Sequence, residues 1–299
     1  MRNAFIDELV LLARENDNVA LVVGDLGYKV VEPFADEFPT RFINAGVAEQ
    51  NMTGLAAGMA SEGFHVFTYS IANFPTFRCA EQIRNDIDYH NLPVTIVSVG
   101  GGLSYGNLGY SHHAIQDYAL IRCMPNMLIA APGDPMETRA CLRYLVENPQ
   151  PSYLRIGKAG ELNFHKEIPK VEPGVWLKVK SGEINNCILS TGTTLNLAHD
   201  WTNSNEFLGY SVFSMPLWGM KFKNLQMKQL LQIDSLVTIE DHLQDGGFGS
   251  WLVESIIHDY KSMNLKITNK YLLSKICGEV GSNAYLNSKG GICVSDINS

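Results

Sequence analysis

The sequence predicts an α/β chain of two tandem domains, each a mostly parallel sheet with helices on both faces. Two observations carry this. Short, β-rich apolar runs alternate with longer helical segments along most of the 299 residues, the pattern of parallel strands joined by crossover helices. The alternation lapses once, between Gly157 and Gly182, in a stretch of prolines, glycines and mixed charge that reads as a linker between domains.

The elements follow in order. Phe5, Leu9, Leu12 and Ala13 recur at helical spacing, and "VALVVGDLG" after them reads as a buried strand closing in a glycine loop. "RFIN", "HVFTY", "PVTIVSV", "NMLIAA" and "SYLRI" supply further strands. Between them lie helices in "EQNMTGLAAGMAS", "TFRCAEQIRNDIDYH", "AIQDYALIR" and "PMETRACLRYLVEN". After the linker the alternation resumes with strands "CILSTG", "YSVFSMP" and "SLVTIED" and helices "TLNLAHDWTN", "LQMKQLLQ" and "GSWLVESIIHDYKSM". The expected division is a first domain over 1–160, a linker over 161–182 and a second domain over 183–299.

Composition narrows the function classes. A formal charge of −8 without runs of like charge offers no basic face to nucleic acid and no polybasic membrane signal. No apolar run approaches the roughly 20 residues that a membrane-spanning helix needs. Six cysteines lie far apart with no CxxC pair and no signal peptide is evident, so the expectation is a cytoplasmic protein with reduced thiols.

In open α/β sheets, ligands bind outside the carboxyl ends of the strands. Four polar features fall there: Asp25, Glu49, the loop "GGGLSYGNLGYSHH" and Arg155. As an ordinary first-turn acid, Glu49 would complement the helix dipole by roughly 0.3–1 kcal/mol. Its flanks, "GVA" and "GLAAG", instead suggest close backbone approach and exclusion of water, a setting that suits a general acid or base. Phe74 by composition belongs in a core, but its place between strand and helix makes it a site candidate. His112 and His113 end the glycine loop; adjacent histidines seldom face one ion and no regularly spaced third ligand follows, so no metal site is expected here.

Several stretches carry a family signature: "RFINAGVAEQNMTGLAAGMASEG", "AEQIRNDIDYHNLPV", "GYSHHAIQDYALIRCMPNMLIAAPGDPMET" and "SLVTIEDHLQDGGFGSW". In order and spacing the chain resembles the C-terminal half of transketolases and, less closely, of 1-deoxyxylulose-5-phosphate synthases. The resemblance covers essentially the whole chain. It implies a pyrimidine-binding domain for thiamine diphosphate followed by the transketolase C-terminal domain, without the domain that binds the diphosphate. "GDL" at Gly24 to Leu26 is superficially similar to the GDG…N magnesium-diphosphate motif, but Leu26 replaces the required glycine.

The implied protein is the C-terminal subunit of a split transketolase, moving a two-carbon ketol unit between sugars. A separate N-terminal subunit would carry GDG…N and the Mg2+ or Ca2+ ion, in an α2β2 assembly. By the same resemblance Glu49 contacts the cofactor's aminopyrimidine, with Phe74 and Asp25 as further cofactor-binding residues. His112 contacts substrate and takes part in catalysis, and Arg155 binds substrate phosphate. Leu108 and Gly100 replace family residues that recognise the sugar, which implies a modified sugar substrate. The alternatives are the beta subunit of a 2-oxo acid dehydrogenase, which shares an "FPxF" stretch, and a non-catalytic stabilising subunit.

Overall fold

The computed structural model of the chain describes residues 1–257 and 264–294. Among them the strands are β1 (Val19–Val23), β2 (Phe42–Asn44), β3 (His65–Ile71), β4 (Val94–Val99), β5 (Leu128–Ala130), β6 (Ser152–Ile156), β7 (Leu177–Lys180), β8 (Glu183–Ser190), β9 (Tyr210–Ser214), β10 (Leu217–Trp218), β11 (Ser235–Leu243) and β12 (Lys266–Leu272). The helices are α1 (Arg2–Glu15), α2 (Glu32–Glu37), α3 (Glu49–Ser61), α4 (Ala80–Gln82), α5 (Asp117–Ile121), α6 (Pro135–Glu147), α7 (Leu195–Trp201), α8 (Gln226–Leu230), α9 (Phe248–Ile256) and α10 (Asn283–Gly290). Of the helix expected over 249–263, residues 249–256 belong to α9, and residues 258–263 lie outside those described.

The first sheet has the order β10-β5-β6-β4-β3-β1-β2 and is parallel except for β10; the second has the order β12-β11-β8-β9-β7 and is parallel except for β7. Both are covered on two faces, as continuous apolar strands require. Along β1, Val19, Leu21 and Val23 pack with Phe5 and Leu9 of α1 and with Leu142 and Leu145 of α6. Val22 faces the opposite way, towards Met52, Ala56 and Ala60 of α3. The chain leaves β1 for β2 and returns to β3 on the other side of β1, so a crevice opens at the carboxyl ends of β1 and β3. In the second sheet β9 and β11 flank β8 in the same way.

Two expectations about organisation need correction. The last residues of the expected linker are β7, paired antiparallel with β9, and not a loose connection. Strand β10, from the second half of the chain, closes the edge of the first sheet against β5. Trp218 on β10 then packs against Tyr118, Phe248 and Trp251, with ring centroids 5.1–5.4 Å apart, so the two halves share an aromatic core.

Local chemistry fixes the helix ends. Asp134 caps α6 by accepting from the Glu137 N–H at 2.7 Å, beside Pro135 at the first turn. Its other oxygen accepts from the Phe164 and His165 N–H groups, while Glu137 accepts from Gly133 N–H and Ser214 and meets His165 at 3.1 Å. Asp134, Glu137 and His165 are close enough to hold an ion. Their polar atoms are engaged in clamping the segment after β6 onto α6.

Glu240 gives the second half a pH dependence. Burial pushes its carboxyl up to about 8, against the downward pull of the Gly249 and Phe248 N–H groups that it accepts from at the start of α9. A carboxyl group raised above its ordinary 4.5 keeps a proton that the unfolded chain has lost. Its contribution is complete below the unfolded pKa and disappears as pH rises towards about 8. The melting temperature should therefore fall between about pH 5 and about pH 8 more steeply in the native chain than in Glu240→Gln. Parallel melting curves would refute this.

Candidate active site

Glu49 begins α3 and is 1% exposed, at the crevice between β1 and β3. It lies against the first sheet: a Cβ built on Gly24 would sit 3.6 Å from Glu49 Cγ, Met52 Sδ and Ser70 Oγ. The glycines expected to enclose it do not. A Cβ on Gly46, Gly54 or Gly58 would meet nothing within 4 Å.

Nor is Glu49 a lone acid. Arg78 Nη1 donates to its Oε2 at 2.7 Å, while the nearest donor to Oε1 is Ser70 Oγ at 3.5 Å. The Arg78 guanidinium also lies 4.6 Å from the Phe74 ring centroid. Arg78 was hidden in the sequence because 76–90 has the pattern of an ordinary helix. The structure resolves that segment into a 3-10 turn over Phe77–Cys79, α4 and a π-helix over Ile83–Asp88. π-Turns recur at functional sites.

Phe74 and His112 come together, with ring centroids 5.3 Å apart and edge to face. Asn73 ties the glycine loop to the end of β3, donating to the His113 carbonyl at 2.8 Å and the Ser111 carbonyl at 3.3 Å. Ser111 Oγ meets His112 Nδ1 at 3.0 Å. His113 turns inward and is fully buried, with Nε2 3.3 Å from the Gly106 carbonyl. The two histidines thus serve different surroundings.

Asp25 stands at the rim beside Gly24. Its carboxylate accepts from Asn44 Nδ2 at 3.0 Å and Tyr28 OH at 2.9 Å, bonds that hold its pKa below the ordinary value. The group shapes the loop after β1.

Arg155 has a different occupation from the one expected. It is 2% exposed, and its Nε donates to Asp117 at 2.8 Å and its Nη1 to Asp241 at 2.6 Å. Nη2 donates to the Ala114 carbonyl at 2.7 Å, and the guanidinium lies 4.5 Å from the Tyr118 ring centroid. Two carboxylates neutralise it inside the protein, so it offers no free charge to a substrate phosphate. Its neighbours explain the glycine run: a Cβ on Gly101 would strike Arg155, and one on Gly102 would strike Asp241. A Cβ on Gly100 would strike the Tyr105 ring, so an aromatic side chain fills the space beside Gly100.

An accessible cation stands three residues past Arg155. Lys158, exposed beyond the end of β6, places its ammonium 5.1 Å from the Tyr105 ring centroid, and Tyr105 lies 6.3 Å from His112. Glu49, Arg78, Phe74, His112, Tyr105 and Lys158 form one line of contacts along the carboxyl edge of the first sheet.

A buried acid at a switch point, linked through Arg78 to an aromatic ring and a histidine loop, is the kind of arrangement at which doubly wound sheets bind ligands. The family profile "Transketolase, pyrimidine binding domain" matches residues 1–160. The chain is 31% identical over 268 residues to an apulose-4-phosphate transketolase subunit of Phocaeicola vulgatus, covering 85% of this chain and 83% of that protein. It is 34% identical over 261 residues to a putative transketolase C-terminal section of Methanocaldococcus jannaschii, covering 86% and 81%. A solved split-gene transketolase, described as an inactive beta4 tetramer, superposes with a TM-score of 0.82 at 30% identity over 97% of this chain and 92% of that one. The chain belongs to the transketolase family. No described helix is long and apolar enough to cross a membrane.

Proposed function

We propose that this chain is the C-terminal subunit of a two-chain transketolase, and that Glu49, Phe74 and His112 form its share of a thiamine diphosphate site. One observation carries the reading. Arg78 fixes one oxygen of the buried Glu49 carboxylate and lies over the Phe74 ring, and the other oxygen keeps only a 3.5 Å contact with Ser70 Oγ. That free oxygen and that ring fit an aminopyrimidine, one as acceptor for a ring N–H and the other as stacking surface.

When bound, thiamine diphosphate supplies a carbon nucleophile and an electron sink for breaking and making carbon–carbon bonds. The chain's own part is to place protons and charges. Glu49 Oε1 accepts the pyrimidine proton while Arg78 holds the carboxylate in one orientation. His112, with Nδ1 engaged by Ser111, has Nε2 available for a substrate hydroxyl or carbonyl oxygen. Lys158 takes the place assigned to Arg155, as the cation for an anionic group on the substrate.

Exposed apolar side chains flank these groups: Tyr28 beside Asp25, Val47 before Glu49, Phe77 beside Arg78, and Leu108 and Tyr110 before His112. Such a rim favours a covering partner. We assign that role to an N-terminal subunit that brings the diphosphate motif and its Mg2+ or Ca2+, in an α2β2 complex. The substrate is a modified sugar phosphate, a reading supported by Tyr105 filling the space beside Gly100 and by the name of the Phocaeicola vulgatus relative. Six free cysteines accord with our assignment to the cytoplasm.

The reading is tested by a donor screen on the reconstituted complex. Branched or otherwise modified ketose phosphates should be used better than xylulose 5-phosphate; equal or better use of xylulose 5-phosphate would overturn the substrate assignment. In the same complex Lys158→Met should raise KM for phosphorylated donors about tenfold or more and leave kcat nearly unchanged. An unchanged KM would remove Lys158 from the site.

A further inference from the structure

A cavity opens past the Lys158 end of the line that begins at Glu49, with Lys158 in its rim. It has a volume of about 430 Å3, within the range of about 300–1,000 Å3 usual for small-molecule sites. Its position follows from the topology. It opens at Thr193 and Thr194, after β8, and at Asp241 near the end of β11. Strand β9 flanks β8 on the other side, so this is the switch point of the second sheet, where open α/β sheets bind ligands.

The lining chemistry selects the ligand. Asn196 of α7 and Asn283 and Asn287 of α10 contribute amides, Thr193 a hydroxyl, and Phe164 an aromatic ring. Asn287 is 7% exposed and donates from Nδ2 to Asn283 Oδ1 at 2.7 Å, which fixes the Asn283 amide at the cavity wall. The acids in the wall are engaged: Asp241 accepts from Arg155 and from Thr193 Oγ1 at 3.0 Å, and Glu161 pairs with the Met1 ammonium at 2.7 Å. Lys158 at the rim faces the Tyr105 ring. Deep in the cavity the groups left to a ligand are uncharged donors and acceptors with one aromatic surface. A ring or chain bearing several hydroxyls and no charge satisfies them, with its C–H face on Phe164.

We propose that this cavity binds a neutral polyhydroxylated molecule, a free sugar or polyol, at a site separate from the one that includes Glu49. Two features connect the sites. Tyr105 stands between Lys158 and His112, and Asp241 in the cavity wall holds Arg155, which holds the Ala114 carbonyl two residues after His112.

The test uses the full chain alone, without partner or cofactor, so that it does not depend on the catalytic reading. D-ribose, sorbitol and ribose 5-phosphate are titrated separately by saturation-transfer NMR. Ribose or sorbitol should bind with a dissociation constant in the millimolar range or tighter, and in Lys158→Met the phosphate should bring no gain. Asn196→Trp and Asn283→Trp, on two different helices, should each weaken binding tenfold or more, so a variant that misfolds leaves the other. Glu49→Ala should leave it unchanged within twofold. The proposal is overturned by absent binding of both neutral probes, by binding that a folded Trp variant retains, by a preference for ribose 5-phosphate that persists in Lys158→Met, or by loss of binding in Glu49→Ala.

Discussion

Replacing Glu49 with alanine is expected to lower turnover of the assembled complex by on the order of 10²–10⁴-fold, the usual share of a positioned acid–base group. The side chain is buried at the switch point, one oxygen is fixed by Arg78, and the other has only a 3.5 Å contact with Ser70 Oγ. A merely structural acid would behave differently. Its loss would leave Arg78, whose side chain is 48% exposed, to turn to water, and turnover would survive. Assembly and melting temperature should change little in Glu49→Gln, which keeps the shape while losing the charge. Activity retained in Glu49→Gln would remove the residue from proton transfer and reopen the reading of this chain as a stabilising subunit.

Arg155→Met should unfold the chain more readily and raise KM only as a secondary effect. The substitution leaves the carboxylates of Asp117 and Asp241 buried without their cation, and breaking a buried ion pair from one side costs about 3–5 kcal/mol. It also frees the Ala114 carbonyl, so the loop bearing His112 should exchange its amide hydrogens faster. Denaturant unfolding and hydrogen exchange check both expectations. The combined variant Arg155→Met, Asp117→Asn and Asp241→Asn should regain part of the lost stability, because no unpaired charge remains inside. A substrate-binding Arg155 predicts the opposite pattern, a higher KM at unchanged stability.

The pattern of hydrophobic runs was enough to locate most of the fold. The helix expected over 49–61 is α3 residue for residue, and the strands of the first sheet other than β10 fall where β-rich apolar runs placed them. The elements that escaped are short or half-exposed. Strand β10 has two residues, β7 carries two lysines at an edge, and β12 has the polar run Thr268–Lys270 at its centre and is only partly buried. The candidate site was legible at Glu49, Phe74 and His112 because strand ends and family motifs mark them. Arg78 was not, since a basic residue in an apparently regular helix gives no sign that the helix is broken into 3-10, α and π turns. Arg155 misled because sequence shows a cation at the end of a strand and hides the two acids, 38 and 86 residues away in the chain, that neutralise it. Lys158 lies in the stretch after β6 where the expected linker begins, and only its approach to Tyr105 places it beside the site.

The central claim is that this chain holds half of a thiamine diphosphate site and needs a second chain for the other half. The most direct measurement is ketol transfer from a ketose phosphate to an aldose acceptor by this chain alone, by an N-terminal transketolase subunit alone, and by the two co-expressed, each with thiamine diphosphate and Mg2+. The account predicts transfer only in the co-expressed pair, dependent on the cofactor and abolished by Glu49→Ala. Transfer by this chain alone would contradict it, as would a pair that acylates lipoamide from a 2-oxo acid in place of moving a ketol unit.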